Sequence, residues 1–244
     1  MALLSVESVT RWHAVGRETI TVLDEATFDV LAGDIVAIRG GRRSGKTTLL
    51  RIAAGIEQPD AGTIRLDGED LLSLAAGERT RRLRNVSYVP QAWRVAPGKP
   101  VVDHVALPLL AEQHPLQRAM AKAHEMLQRV GAADCANAAT HELTVADRVR
   151  VMLAQGLVRK PRLLLVDEPG AKAAPGDREK VMHLLRTIVS DSKDLALVLT
   201  SQDIVGLSGA DRVLTIRRGQ LRAFETPAEI VPLRARSGAV VSPA

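Results

Sequence analysis

Aromatic residues and cysteine are scarce in this sequence of 244 residues. Two Trp, one Tyr and two Phe leave an aliphatic core and few rings that could stack on exposed bases. The single cysteine, Cys135, excludes an internal disulfide, and no Cys/His cluster has the spacing of a zinc site. Neither disulfides nor a structural zinc ion is therefore expected to stabilise the fold, and Cys135 is interpreted as a small packing residue.

Long apolar runs are absent as well. No stretch approaches the roughly 20 apolar residues of a membrane-spanning helix, and the N-terminus lacks the basic start and apolar run of a signal peptide. We therefore expect a cytoplasmic chain. Its net charge of +5 is compatible with a nucleic acid, an anionic membrane surface or a phosphorylated ligand, and does not decide among them.

Four short apolar segments, bounded by turn residues or charges, predict buried strands. They are residues 34–39, 86–89, 162–166 and 195–199. Because helical patterns separate them, we expect an α/β fold with a mainly parallel sheet. Residues 3–30 and a hairpin at 62–68 alternate differently and predict a small antiparallel β subdomain.

The remaining segments suggest how one domain, residues 1–244, is organised. Residues 92–159 have a helical pattern, with stretches at 102–111 and 116–130, and we interpret them as an inserted helical subdomain. Residues 1–91 and 160–231 then form the core and its antiparallel arm. Residues 232–244, rich in Pro, Ser, Gly and Arg, predict a flexible tail.

One motif carries clear chemistry, because eight consecutive residues match G-x-x-x-x-G-K-[ST] between a predicted strand and a predicted helix. They are Gly40, Gly41, Arg42, Arg43, Ser44, Gly45, Lys46 and Thr47, and Thr48 follows. Such a loop turns backbone N–H groups towards phosphates, while the lysine neutralises their charge and the threonine hydroxyl binds Mg²⁺. The motif predicts ATP and Mg²⁺ as ligands. Arg42 and Arg43 either add charge beside the phosphates or point into water.

Three motifs in order resemble those of the nucleotide-binding subunits of ABC transporters, especially the lipoprotein-release and macrolide-export branch. They are the phosphate loop, Tyr-Val-Pro-Gln at 88–91 and Leu-Leu-Leu-Val-Asp-Glu-Pro at 163–169. The resemblance extends from residue 6 to about residue 229. It implies a P-loop NTPase with a RecA-like core, which works as a dimer beside a transmembrane permease on the inner face of the cell membrane.

The resemblance also implies roles for individual residues. Gln91 contacts the metal and the attacking water, Asp167 holds Mg²⁺ through water, and Glu168 is the general base. Adjacent carboxylates at the end of a strand are costly unless they meet cations, which Lys46 and Mg²⁺ supply. The adenine-stacking position of the family aligns with His13, and its neighbour Trp12 is the better aromatic surface. The alternative for either ring is to pack under the small sheet.

Three features depart from the family pattern. The signature Leu-Ser-Gly-Gly-Gln is replaced by Leu143, Thr144, Val145, Ala146 and Asp147, and the Thr-x-x-Asp spacing predicts a capped helix start instead of an anion site. The Leu-Asp pair that links the two sites of a dimer aligns with 173–174, Ala-Ala. The family histidine aligns with Gln202, which donates a hydrogen bond but carries no charge.

These departures predict a subunit that binds MgATP well and hydrolyses it slowly by itself. In a homodimer both composite sites contain the altered signature, whereas beside an intact second cassette one of the two sites keeps most of its groups. In the family, the loop at residues 93–102 contacts the transmembrane subunit. A non-hydrolytic ATP-dependent regulator remains the alternative. A nucleic-acid-handling protein is suggested only by the net charge, and nucleic acid is not expected as a partner.

Overall fold

Two β-sheets and six α-helices form the computed structural model, which describes residues 1–16, 18–93, 98–171, 173–192, 194–203, 207 and 209–224. The strands are β1 (Leu4–Val15), β2 (Glu18–Val30), β3 (Ile35–Arg39), β4 (Ala61–Leu66), β5 (Glu69–Asp70), β6 (Val86–Val89), β7 (Leu163–Val166), β8 (Ala196–Ser201), β9 (Arg212–Arg217) and β10 (Gln220–Ala223). The helices are α1 (Lys46–Ala53), α2 (Ala76–Leu83), α3 (Val101–Ala111), α4 (Leu116–Arg129), α5 (Val145–Leu157) and α6 (Pro175–Asp191).

The larger sheet has the strand order β10-β9-β3-β8-β7-β6. The pairs among β9, β3, β8, β7 and β6 are parallel, whereas β10 pairs antiparallel with β9. All four predicted central strands are confirmed, with bounds that differ by at most two residues. The smaller sheet, β2-β1-β4-β5, is antiparallel, so the predicted α/β class with an antiparallel arm is confirmed.

Apolar residues on both faces of the larger sheet bury it between two cores. Along β3, Ile35 and Ala37 pack with the helices α3 to α6, while Val36 and Ile38 pack with α1 and the small sheet. This alternation follows from the period of two residues in a strand. All four residues of β7 are buried, which is typical of a parallel strand covered on both faces.

Helices α3, α4 and α5 account for the helical pattern between residues 98 and 159. A side-chain bond from Trp93 Nε1 to Gln155 Oε1, 2.9 Å long, joins the start of this segment to α5. Cys135 is buried among these helices, and burial raises the pKa of its thiol. No helix in the described ranges is long and apolar enough to cross a membrane. Part of the predicted permease contact, residues 94–97, and the predicted tail, 232–244, lie outside the described residues.

Candidate nucleotide site

The phosphate loop connects β3, which ends at Arg39, to α1, which begins at Lys46. Gly45 has φ 102°, and a Cβ there would lie 2.6 Å from the carbonyl oxygen of Val22, so only glycine fits. Arg43 also adopts a left-handed conformation, with φ 58°, which is costly for a residue with a side chain. No side chain caps the start of α1, which leaves its first N–H groups for an anionic ligand.

The ammonium of Lys46 is buried at the base of this loop, with 4% of the side chain exposed. Nζ donates to the carbonyl oxygens of Gly40 and Gly41, each at 2.7 Å. It also lies 3.0 Å from Glu168 Oε1. Three acceptors therefore match the three protons of the ammonium.

Glu168 is the second residue after β7 and has φ 46°, a strained conformation for glutamate. Its second oxygen, Oε2, accepts from Gln91 Nε2 at 2.9 Å and from Gln202 Nε2 at 2.7 Å. The three residues predicted to be catalytic, Gln91, Glu168 and Gln202, thus meet at one carboxylate. They come from the ends of β6, β7 and β8, because the carboxyl ends of neighbouring parallel strands share one edge of the sheet.

The neighbouring carboxylate, Asp167, is surrounded by hydroxyl groups. Thr47 Oγ1 donates to Asp167 Oδ2 at 2.8 Å, and Thr200 Oγ1 donates to Oδ1 at 2.8 Å. The phenol of Tyr88 lies 3.4 Å from Oδ2. Burial, together with the charge of Asp167 and this contact, raises the pKa of Tyr88.

Thr200 is a site residue that the sequence analysis missed. Its hydroxyl also accepts from the backbone N–H of Glu168 at 2.9 Å, so one side chain joins both adjacent carboxylate residues. Thr200 is fully buried in β8. The available signal was a polar residue directly after the apolar run 195–199, where a buried hydroxyl requires hydrogen-bond partners.

A cavity of about 610 Å³ opens beside the phosphate loop, within the size range of ligand pockets. Its lining residues are His13, Val22, Arg42, Arg43, Ser44, Gly45, Lys46, Thr47, Thr48, Gln91, Glu168, Ala171 and Gln202. Most of the predicted ATP-binding residues thus surround one space. Gly40 and Gly41 lie beneath it as acceptors for Lys46.

His13 lines this cavity, whereas Trp12 does not, and the Trp12 side chain is 46% exposed. Neighbours along a strand point to opposite faces, so β1 can present only one of the two towards the phosphate loop. His13 Nε2 also lies 3.5 Å from Glu57 Oε1, which accepts from Arg11 Nε at 3.0 Å. Glu57 therefore contacts two side chains of β1 beside the cavity, a pairing with no signal in the sequence.

The residues present fit both predicted ligands. Ser44 lines the cavity, and its hydroxyl oxygen is buried without a hydrogen-bond partner among the described residues. Because a buried hydroxyl normally has a partner, it is available to a polar ligand bound in the cavity. Thr47 and Asp167 offer a hydroxyl and a carboxylate oxygen 2.8 Å apart. Mg²⁺ prefers oxygen ligands and takes few from the protein.

The segment 143–147 does not line this cavity and instead starts α5. Asp147 N donates to Thr144 Oγ1 at 3.1 Å, which confirms the predicted helix cap. The return contact differs from a standard capping box, because the Asp147 carboxylate accepts from the Thr144 hydroxyl at 2.5 Å. Asp147 also pairs with Arg150 at 3.0 Å.

The chain matches the model of the ABC transporter family over residues 23–171. It is 32% identical to the lipoprotein-releasing system ATP-binding protein LolD of Chromohalobacter salexigens, over 90% of this chain and 92% of the relative. It is 34% identical to the spermidine/putrescine import ATP-binding protein PotA of Nitrosospira multiformis, over 94% of this chain and 61% of that protein.

Among solved structures, a dimeric ATP-binding cassette in a post-hydrolysis state, bound to ADP and Pi, superposes with a TM-score of 0.81 at 23% identity. The match covers 91% of this chain and 99% of that one. The protein cbiO1 of Clostridium perfringens, part of the ABC transporter complex cbiONQ, gives 0.79 at 23% identity, over 91% of this chain and 87% of that one. These similarities establish the same fold.

Proposed function

Because this chain belongs to the ABC transporter family and is an ATPase cassette of that family, we propose that it binds MgATP around Lys46 and hydrolyses it slowly unless paired with an intact cassette. The observation that carries this proposal is the convergence of Lys46, Gln91 and Gln202 on the Glu168 carboxylate. A cation for phosphate, a candidate base and its orienting amides occupy one small region.

Each of these residues has a task that its contacts support. Lys46 neutralises phosphate charge, and the N–H groups at the start of α1 donate to the phosphate oxygens. Glu168 takes the proton of the attacking water. Its carboxylate has about four lone-pair positions, of which three accept the present contacts, so one is left for water. Mg²⁺, when bound by Thr47 and Asp167, neutralises charge that develops on the phosphates.

Weakened hydrolysis follows from two features. Gln202 donates a hydrogen bond at the family's histidine position but adds no positive charge there. Thr144 caps α5 with its own hydroxyl, and the Asp147 carboxylate, which accepts from Thr144 and pairs with Arg150, adds a negative group where a second cassette would bring its phosphate. In a homodimer, both composite sites would contain this altered signature. If the chain pairs with an intact cassette, one of the two composite sites would contain the intact signature of that cassette.

We extend the proposal to the partners. Relatives are named as ATP-binding proteins of lipoprotein-releasing and import systems. By this analogy, the chain forms a head-to-tail dimer with a second cassette, lies on the inner face of the membrane, and drives or gates a separate transmembrane subunit near Trp93 and residues 98–102. Copurification of the tagged chain with a polytopic membrane protein tests this step, and recovery of the chain without one from solubilised membranes contradicts it.

The decisive experiment compares ATP binding and turnover in the purified chain. We expect tight MgATP binding and slow turnover. The variant Val145→Gly/Ala146→Gly/Gln202→His should gain at least about tenfold in turnover, because an altered signature and a missing charge each cost a transition-state contact. Glu168→Gln in each background corrects for contaminating ATPases.

The outcomes separate the possibilities. Absence of MgATP binding contradicts the whole proposal. Turnover at ordinary transporter rates by the unmodified chain, or no gain in the restored variant, contradicts weakened hydrolysis. The alternative, a non-hydrolytic regulator, is favoured by the capped α5, and it predicts that Glu168→Gln leaves cellular function intact.

A further inference from the structure

Two loops reach Glu168 from neighbouring strands, and one arginine contacts both. The first loop follows β7 and contains Ala171 and Ala173, and the second follows β8 and contains Gln202 and Asp203. Arg178, near the start of α6, donates from Nε to the carbonyl oxygen of Ala173 at 3.0 Å and from Nη2 to that of Ala171 at 3.4 Å. Its Nη1 lies 2.5 Å from Asp203 Oδ2.

The position of Arg178 in its helix is unfavourable by itself. A cation near the start of a helix is repelled by the helix dipole, so this arginine needs compensating contacts. The guanidinium supplies them, because its planar array of donors reaches two backbone carbonyls and a carboxylate together. The side chain is 28% exposed and that of Asp203 is 57% exposed, so solvent screens the ion pair.

Both loops also contact Glu168, the candidate base. The Ala171 N–H donates to the Glu168 carbonyl oxygen at 3.1 Å, within the first loop. In the second loop, Gln202 donates to Glu168 Oε2 at 2.7 Å, and Asp203 N donates to Ser201 Oγ at 3.1 Å. A shift of Asp203 therefore moves the neighbouring Gln202 amide relative to Glu168.

We propose that Arg178 is a positioning residue that couples these two loops and thereby keeps the Gln202 amide on the Glu168 carboxylate. The first loop carries Ala-Ala at 173–174, where no side chain can make a polar contact. Arg178 holds that loop by its backbone carbonyls instead. The catalytic part of this inference rests on the proposed function, whereas the coupling itself does not.

Hydrogen exchange of the protein without nucleotide tests the coupling directly. The reporters are the amides of Ala171, Ala173 and Asp203, each of which makes a hydrogen bond within its own loop. Arg178→Met should raise exchange at all three by about two- to fivefold, the range expected for a partly exposed charged contact. Lys180→Met, which removes an exposed cation from the same helix, is the matched control and should change none of them.

The sharpest result comes from Asp203→Asn. If the loops are coupled, this change raises exchange in the other loop, at Ala171 and Ala173, as well as at its own amide. An effect confined to residue 203, or unchanged exchange in Arg178→Met, overturns the coupling. Arg178→Lys keeps the charge but cannot span all three acceptors, so it should restore only part of the protection.

Turnover then tests the positioning role in the dimer that hydrolyses ATP. Arg178→Met and Asp203→Asn should each lower kcat about two- to fivefold with unchanged ATP affinity. The double variant should be no worse than Arg178→Met, because the ion pair that Asp203→Asn removes is already absent from Arg178→Met. A loss of ATP affinity, or additive losses in kcat, contradicts positioning. If the unmodified protein proves inactive, the proposed function fails, while the exchange results still decide the coupling.

Discussion

Glu168 and an incoming phosphate compete for the same ammonium, which gives the substitution Glu168→Gln two linked consequences. Glu168 Oε1 lies 3.0 Å from Lys46 Nζ, and both side chains are less than one tenth exposed. In the proposed function, Lys46 exchanges this carboxylate for a phosphate when ATP binds. Glutamine has nearly the same shape but no charge, so the variant weakens the interaction without removing the side chain.

The magnitude follows from the charge on both partners of this hydrogen bond. A hydrogen bond to a charged group contributes about 1.5–3 kcal/mol to the free energy of unfolding. Lys46 keeps its two carbonyl acceptors, so we expect a decrease near the lower half of that range, about 1.5–2 kcal/mol. For a chain of this size, each kcal/mol lowers Tm by about 2–4 °C, which gives a decrease of roughly 3–8 °C without nucleotide.

The same change should tighten ATP binding. A phosphate no longer has to displace a carboxylate from Lys46 or approach its negative charge. Because about 1.4 kcal/mol corresponds to tenfold in affinity, Kd for MgATP should fall by about tenfold or more. Thermal unfolding without nucleotide and calorimetric titration with MgATP measure the two effects in the same preparations.

A second carboxylate variant provides the control. Glu112 pairs with Arg159 at 3.2 Å in the helical region, away from the cavity. Glu112→Gln should lower the free energy of unfolding by less than about 1 kcal/mol and leave ATP affinity unchanged. Wild-type Tm together with wild-type ATP affinity in Glu168→Gln would refute the competition for Lys46.

Three further predictions concern single positions. Gly45→Ala should abolish ATP binding and lower Tm by several degrees, because its Cβ would lie 2.6 Å from the Val22 carbonyl oxygen. Gly41→Ala is the control and should leave Tm unchanged, because the space around Gly41 is open. Equal Tm values for the two variants contradict this prediction. Thr144→Ala should cost about 1 kcal/mol in denaturant unfolding by removing a helix cap, and a cost near zero contradicts the cap. Tyr88→Phe should match the parent at pH 8 but lose less stability as pH rises above 10, because the raised pKa keeps the native phenol protonated while the unfolded one ionises; parallel stability curves contradict this.

The sequence predicts best what depends on neighbours along the chain. The central strands are short apolar runs, and the phosphate loop is one continuous segment whose glycines and lysine serve a local geometry. The Thr144 cap was predictable for the same reason, since a cap depends on residues three positions apart. These features can be predicted without knowing which strands are neighbours in the sheet.

The missed features depend on strand order or on unusual turn residues. The β9–β10 hairpin turns through Arg218 and Gly219, both with positive φ, as a type I′ turn requires. Arginine is rare at such a position, so the turn gave no recognisable signal. Thr200 and Arg178 matter only because β8 lies beside β7, and neither residue belongs to a motif.

The strand order also explains why binding and catalysis are expected to respond together. Lys46 begins α1, directly after the phosphate loop that follows β3, whereas the two amides on Glu168 follow β6 and β8. In the sheet, β6 and β8 flank β7, and β3 lies on the other side of β8. The ends of these strands therefore converge on Asp167 and Glu168, which follow β7. A phosphate that takes Lys46 from Glu168 removes the only cation among these three partners and leaves two neutral amides on the proposed base. Under the proposed function, binding of ATP therefore changes the surroundings of Glu168 directly, without requiring any movement of the sheet.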